Sequence, residues 1–407
     1  MNRGGESITN HKQNIVILIA SMFLVAIGYT MVIPFLPLYL LELGVPESRI
    51  ALWSGLVFSI CFFIAGIMGP IWGKMADTKG KKKMAVRAAV LLGFSYLFCG
   101  LSQNEYHLMA ARAFQGFANG FVAASMAIIS VSADPKKLGA TLGMGQTALV
   151  VGGIAGPLVG GVLAHIIGMR NSFYISAAFL WVVALLVIFF VTEGAPKEIA
   201  KKAEDTTIRQ DLAYAYKNSH LREILLIAMC LQTSILMIQP VTALYVGQLL
   251  AGYGNVELIS GIIMSSGGLA GAMTTTLWGK FGQDKGYYFA ICITLISAGI
   301  LTLVQSLPDS IIGFGLCQFL VGCFVIGVNP SLNAAMVMYT PDNFRGRVFG
   351  LFNTAQQFGN MCGPLVSAAI SMACGIWQVY AAAGVVQLLL GLKVYTGHVR
   401  KGELGKR

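Results

Sequence analysis

The feature that most limits what this chain can become is the recurrence of apolar runs longer than a soluble core requires. They fall near residues 15–41, 50–73, 84–103, 106–130, 139–167 and 171–192, then near 222–249, 258–280, 286–306, 310–339, 345–373 and 376–396. Crossing a hydrocarbon core of about 30 Å takes about 20 to 25 residues of helix, and each run is long enough for that. Lipid offers the backbone no hydrogen-bond partner, so such runs are expected to be helices that bond within themselves. Twelve of them leave little of the 407 residues for any extramembrane domain. Composition agrees, with charged residues at 11% where soluble domains carry about 25%. The first run continues from Ile15 to about Leu41 without a small-residue cleavage site, so a transmembrane helix is expected there rather than a leader.

Charge placement sets sidedness. Only Arg49 and Arg170 fall in connections that would face outward and Arg112 lies within a span, so the other 25 of 28 basic residues fall on one side. Lys and Arg are retained on the cytoplasmic side, which predicts cytoplasmic termini in a multi-pass plasma-membrane protein. The same bias explains the formal charge of +11 without a nucleic-acid partner. One long hydrophilic stretch, 193–221, is the expected cytoplasmic linker between an N-terminal six-helix bundle (1–192) and a C-terminal one (222–407) that ends in a short cytoplasmic tail.

The halves repeat 206 residues apart. Trp72-Gly73-Lys74 returns as Trp278-Gly279-Lys280, Lys79-Gly80 as Lys285-Gly286, Ser54-Gly55 as Ser260-Gly261, Leu38-Tyr39 as Leu244-Tyr245, and Pro34 as Pro240. A duplication of six spans gives two halves of equal orientation about an axis along the membrane normal, with a cavity expected between them.

Three motifs stand out. Gly73 to Lys83 carries Gly73, Asp77, Gly80, Lys81 and Lys82 at the expected inner junction of spans two and three, where glycines permit a tight reversal and cations hold the loop inside. In span four, Arg112 precedes Gln115, Gly116 and Gly120. A guanidinium there costs about 2.5 to 3.5 kcal/mol on insertion scales, so it should face protein or water; a structural tie to carbonyls and a part in transport both fit. In span five, Gly152, Gly156 and Gly160 lie four apart beside Pro157 and Gly161, a stripe that admits another helix backbone. A degraded copy, Gly350, Gly359, Gly363-Pro364, occupies span eleven.

The Gly-x-x-x-Asp-x-x-Gly-Lys-Lys loop resembles the signature of the major facilitator superfamily, with Thr78 where that family usually has a basic residue. The span-five spacing resembles the signature of its antiporter branch, and the layout from Pro34 to Lys83 resembles bacterial twelve-helix multidrug exporters of the drug:proton antiporter group. The resemblance implies two pseudo-symmetric six-helix bundles that alternate access by rocking. It also implies that Asp77 latches the inner end of span eleven and that Arg112 takes part in proton coupling.

A cavity in such a fold should show polar side chains and methionines within apolar spans. Candidates are Tyr29, Met31, Gln115, Asn119, Gln146, Gln232, Met237, Gln239, Asn329, Asn333, Asn353 and Gln357. Buried amides also glue helices together, so each has a structural reading beside the functional one. As a set they suggest an uncharged chamber suited to varied amphiphiles. No Asp or Glu sits at the middle of a span; Asp77 and Glu42 are the candidate proton sites, and a place at the membrane rim fits each as well. The eight cysteines read as reduced packing residues, and the histidines lie in expected loops and tails. No phosphate-binding loop, nucleophile elbow or metal-ligand spacing occurs, so neither enzyme chemistry nor a cofactor is expected. The expected protein is a monomeric secondary transporter exchanging protons for small amphipathic compounds. A specific metabolite, sugar or lipid-intermediate carrier and a non-transporting receptor or assembly partner are the alternatives.

Overall fold

The computed structural model describes residues 3–134, 137–192, 208–251, 254–341 and 344–402, without the side chains of 3–11, 77, 208–212, 345 and 346. Most of the expected linker, 193–207, lies outside the described residues. The described residues form sixteen α-helices and no strand. Span one is α1 (Arg3–Thr30) and α2 (Leu36–Glu42), joined by a 3-10 turn at Ile33–Phe35. Pro34 and Pro37 lack the N–H that would continue a single ladder, which places the break there. Then come α3 (Glu47–Lys79), α4 (Lys81–Gly100), α5 (Glu105–Ala118), α6 (Phe121–Ser132), α7 (Leu138–Ile167) and α8 (Met169–Phe190). After α9 (Ile208–Lys217) follow α10 (Ser219–Leu249), α11 (Val256–Lys285), α12 (Tyr287–Val304), α13 (Ile311–Val325), α14 (Val328–Met338), α15 (Arg345–Ala373) and α16 (Trp377–Gly397).

Among the described residues, eleven stretches are long and apolar enough to cross a bilayer. The stretch missing from the expected twelve is α15. It has 29 residues, ample for a crossing, but Asn353, Gln356, Gln357 and Asn360 lower its mean hydropathy.

The chain forms two compact units, Met1–Val45 with Phe63–Lys202, and Pro46–Phe62 with Ala203–Arg407. In the first unit α1 packs on α7 and α8, and α4 on α8 and α5. In the second, α10 packs on α15 and α16, and α12 on α16. The pairs α1 with α7 and α10 with α15 are equivalent under the repeat, as are α4 with α8 and α12 with α16. Gly80 and Gly286, also equivalent, turn α3 into α4 and α11 into α12 at φ of 101° and 111°, a conformation that favours glycine.

The repeated Trp-Gly-Lys acquires a physical reason here. Spans four and ten are both interrupted, between Ala118 and Phe121 and between Val325 and Val328. An interruption leaves carbonyls of the last turn without their i+4 donors. Trp72 Nε1 donates to the Phe117 carbonyl at 2.8 Å, and Trp278 Nε1 to the Cys323 carbonyl at 2.7 Å. The Cys323 carbonyl also accepts from Thr274 Oγ1 at 2.8 Å. Trp72→Phe should therefore destabilise the protein by about 1 to 3 kcal/mol, the cost of a buried acceptor left unpaired, and Trp278→Phe by less because Thr274 remains. Unfolding of the two detergent-solubilised variants checks this order; equal losses would show that the indole donors do not support the interruptions.

Candidate functional site

The glycine stripe of α7 lies against α1. A side chain at Gly152 would meet the Phe23 carbonyl at 2.6 Å and Ala26 Cβ at 2.7 Å. One at Gly156 would run into Thr30, and one at Gly160 into the backbone of Met31. Pro157 and Gly161 are buried beside them. The second unit repeats this contact with equivalent residues: a side chain at Gly359 would run into Met229 and Gln232, and one at Gly363 would meet the Thr233 carbonyl at 2.7 Å and Leu236 Cβ at 2.8 Å. The stripe thus sets the spacing of two helices inside each unit. Gly153, between two members of the stripe, has open space at its Cβ position.

At the loop, Gly73 is exposed with nothing near its Cβ position, and Gly80 makes the turn described above. Lys81 begins α4, and Lys82 Nζ donates to the Ile188 carbonyl at 2.8 Å. The Asp77 side chain lies outside the described residues, so the expected latch has no structural reading.

Arg112 is 1% exposed and its Nη1 donates to Gln115 Oε1, also within α5. The guanidinium is enclosed by protein and does not snorkel to the surface. Near it, Tyr96 donates to the Tyr29 carbonyl at 3.2 Å. The equivalent of Arg112 is Gln318, whose Oε1 accepts from Gln305 Nε2 at 2.6 Å, so the second unit holds an uncharged amide pair at that place.

The cavity candidates divide by exposure. Met31, Met237 and Gln115 are buried at 0%, 1% and 1%, packed inside their own units, which corrects the expectation that they line an open chamber. Asn119 is exposed, and its Oδ1 accepts from Gly120 N at 2.7 Å at the span-four interruption, a local structural task. Gln146 on α7 and Asn353 on α15 are exposed, and they occupy equivalent positions six residues before the first stripe glycine of each helix. Six residues turn a helix by about a third of a circle away from the glycine face. Tyr29, Gln232, Gln239, Asn329, Asn333 and Gln357 are half-buried. Gln357 accepts from Asn360 Nδ2 at 2.9 Å, and the Asn329 Oδ1 is shielded without a partner. Glu42 ends α2 at an exposed site.

Two groups went unread in the sequence. Gln387 of α16 joins Ser234 of α10 and Thr302 of α12, both at 3.2 Å, in a fully buried amide and hydroxyl network. His220 and His398, expected in loops and tails, enter an aromatic cluster. His220 stacks on Tyr339 at 4.1 Å, and His398 stacks on Tyr288 at 3.9 Å. His398 also pairs with Glu223 at 2.8 Å. Four separate elements supply these residues, so no spacing along the chain announces them. The eight cysteines are all free, as expected of packing residues, and Cys374 alone among them is exposed.

Comparison with known proteins now bears on this arrangement. The family model described as Major Facilitator Superfamily matches residues 18–364 and 261–403. The chain belongs to the major facilitator superfamily. It is 34% identical over 380 residues to proteins called multidrug resistance protein MdtG from Salmonella arizonae and Salmonella schwarzengrund, covering 93% of this chain and 93% of each relative. The fold matches the crystal structure of the nucleoside transporter NupG (TM-score 0.80, 16% identity, 94% of this chain and 99% of that one). It also matches a bacterial homologue of the human lysosomal transporter Spinster (TM-score 0.79, 15% identity, 94% and 95%). As a superfamily member the protein is an integral membrane transporter of small molecules, not an enzyme, and its fold is the twelve-helix one expected.

The stripe geometry yields a paired prediction for this superfamily member. Gly160→Ala forces a methyl into the Met31 backbone and should abolish transport, whereas Gly153→Ala meets nothing and should retain it. Transport in cells, with surface expression measured alongside, separates the two; equal activity would remove the close-packing requirement.

Proposed function

We propose that this protein exports small amphipathic compounds, including drugs, from the cytoplasm in exchange for protons, by alternating access in the plasma membrane with both termini inside. The observation that carries the reading is the likeness at 34% identity along 93% of both chains to proteins named for multidrug resistance. The span-five glycine pattern and the one-sided placement of Lys and Arg support export and orientation respectively.

The substrate preference follows from the side chains. Every carboxylate in the described spans lies in or near a terminal turn, while the cavity candidates that are exposed or half-buried within spans are uncharged amides and a tyrosine: Tyr29, Gln146, Gln232, Gln239, Asn329, Asn333, Asn353 and Gln357. A polar side chain within an apolar span is costly against lipid and belongs on a hydrated or ligand-binding face. Uncharged amides recognise neutral or weakly charged amphiphiles through hydrogen bonds, without the buried anion that would favour cations. Arg112, enclosed beside Gln115 and Tyr96, is the group proposed to sense protonation, and Asp77 and Glu42 are the proposed proton-carrying acids. Gly73, Gly80, Lys81 and Lys82 complete the proposed inner latch with Asp77.

Cells expressing the protein should expel a weakly basic dye such as Hoechst more readily than the permanent cation ethidium, and a protonophore should abolish that efflux. Asp77→Asn should slow turnover while sparing dye binding. Dye retention equal to that of empty cells for several dyes of differing charge would reject the multidrug reading in favour of a specific carrier. Unchanged turnover in Asp77→Asn would remove the latch role.

A further inference from the structure

We propose that the inner end of α4 carries a binding site for an anionic membrane phospholipid. A groove of about 570 Å³ opens there, lined by Lys82, Lys83, Val86, Arg87, Val90 and Leu91. That volume lies within the range of about 300 to 1,000 Å³ typical of small-molecule sites. The lining is ordered along the helix. Lys82 and Lys83 sit in its first turn, Arg87 one turn further, and Val90 and Leu91 about 10 Å deeper than Lys83 at 1.5 Å per residue. A ligand that satisfies both ends carries a phosphate at the membrane surface and hydrocarbon beneath it. Basic pockets on the cytoplasmic side of transmembrane helices suit such headgroups.

The bland reading is that these cations merely keep a loop inside. The duplication argues against it. At the equivalent positions of α12 stand Tyr288, Phe289 and Ile293 in place of Lys82, Lys83 and Arg87. That helix begins at an equivalent glycine turn without any of the three charges. Arg87 also lies six residues into the span, where retention of a loop does not require it. Its guanidinium sits over the Trp72 ring at 3.7 Å and its Nη2 donates to the Asn119 carbonyl at 2.9 Å. Its Nε and Nη1 have no hydrogen-bond partner among the described residues. These two donors are shielded from the surface, so the guanidinium holds unused hydrogen-bonding capacity at the groove wall, and a small side-chain shift turns its fork toward a phosphate, the acceptor that geometry matches best. A soluble phosphate would leave Val86, Val90 and Leu91 unused, so the occupant is a lipid and not an aqueous anion.

The test is native mass spectrometry of the full-length protein titrated with dioleoyl phosphatidylglycerol or dioleoyl phosphatidylcholine. The expected result is binding of the phosphatidylglycerol about tenfold or more tighter, with that preference lost in the Lys83→Gln/Arg87→Gln double variant and kept in Lys280→Gln, a cation near the end of α11 in the other unit. Equal retention of the two lipids, an unchanged preference in the double variant, or a comparable loss in Lys280→Gln would overturn the site. Displacement of the lipid by millimolar inorganic phosphate would overturn the lipid assignment. Should the double variant fail to fold, Val90→Trp fills the groove without changing charge: loss of the preference supports the site, and retention rejects it.

Discussion

The bilayer's refusal to bond backbone groups is the constraint on which this structure rests. Every helix interruption within a span has to be mended from inside the protein, and the mending groups are the most informative residues of the chain. Spans four and ten break at equivalent places, and in each unit a tryptophan from the preceding pair of spans reaches a carbonyl that the break leaves without its helical donor. Thr274 reinforces the second break, and Arg87 bonds a neighbouring carbonyl at the first. The same constraint favours the glycine stripes, because without a hydrophobic drive between helices in lipid, close backbone approach supplies the packing energy. Duplication preserved both devices while letting the surrounding side chains diverge.

That divergence gives the two units different characters. The first holds an enclosed arginine on α5 and a cationic groove on α4; the second holds an amide pair and aromatic or aliphatic residues at the equivalent positions. The proposed exchange has a physical basis in this asymmetry, since a half that carries charge can respond to protons while the other supplies uncharged surface. The buried network of Gln387, Ser234 and Thr302 shows the other use of polarity in a membrane, holding helices at fixed separation.

Much of the fold was legible in the sequence because its signals are periodic. Run length gave the spans, and the repeat gave equivalent helices that the packing pairs reproduce. Gly152, Gly156 and Gly160 could be read as one helix face because a spacing of four residues is local geometry. The cavity candidates were less legible: Met31 and Met237 share their residue type with exposed positions, and only packing determines that they are enclosed. The His220, Tyr339, Tyr288, His398 and Glu223 cluster was unreadable for the same reason, being assembled from elements remote in the chain. Hydropathy also understated α15, since the amides that reduce its apolarity are among those proposed to contact substrate.

The central claim is that movement of an amphipathic compound and movement of protons are one event. Purified protein in sealed vesicles containing a trapped pH indicator tests it directly, with no proton gradient imposed at the start and a dye gradient as the sole driving force. The account predicts that downhill dye movement drives protons the opposite way, and that a protonophore dissipates the resulting pH change. Dye movement at full rate with no change in internal pH would contradict it.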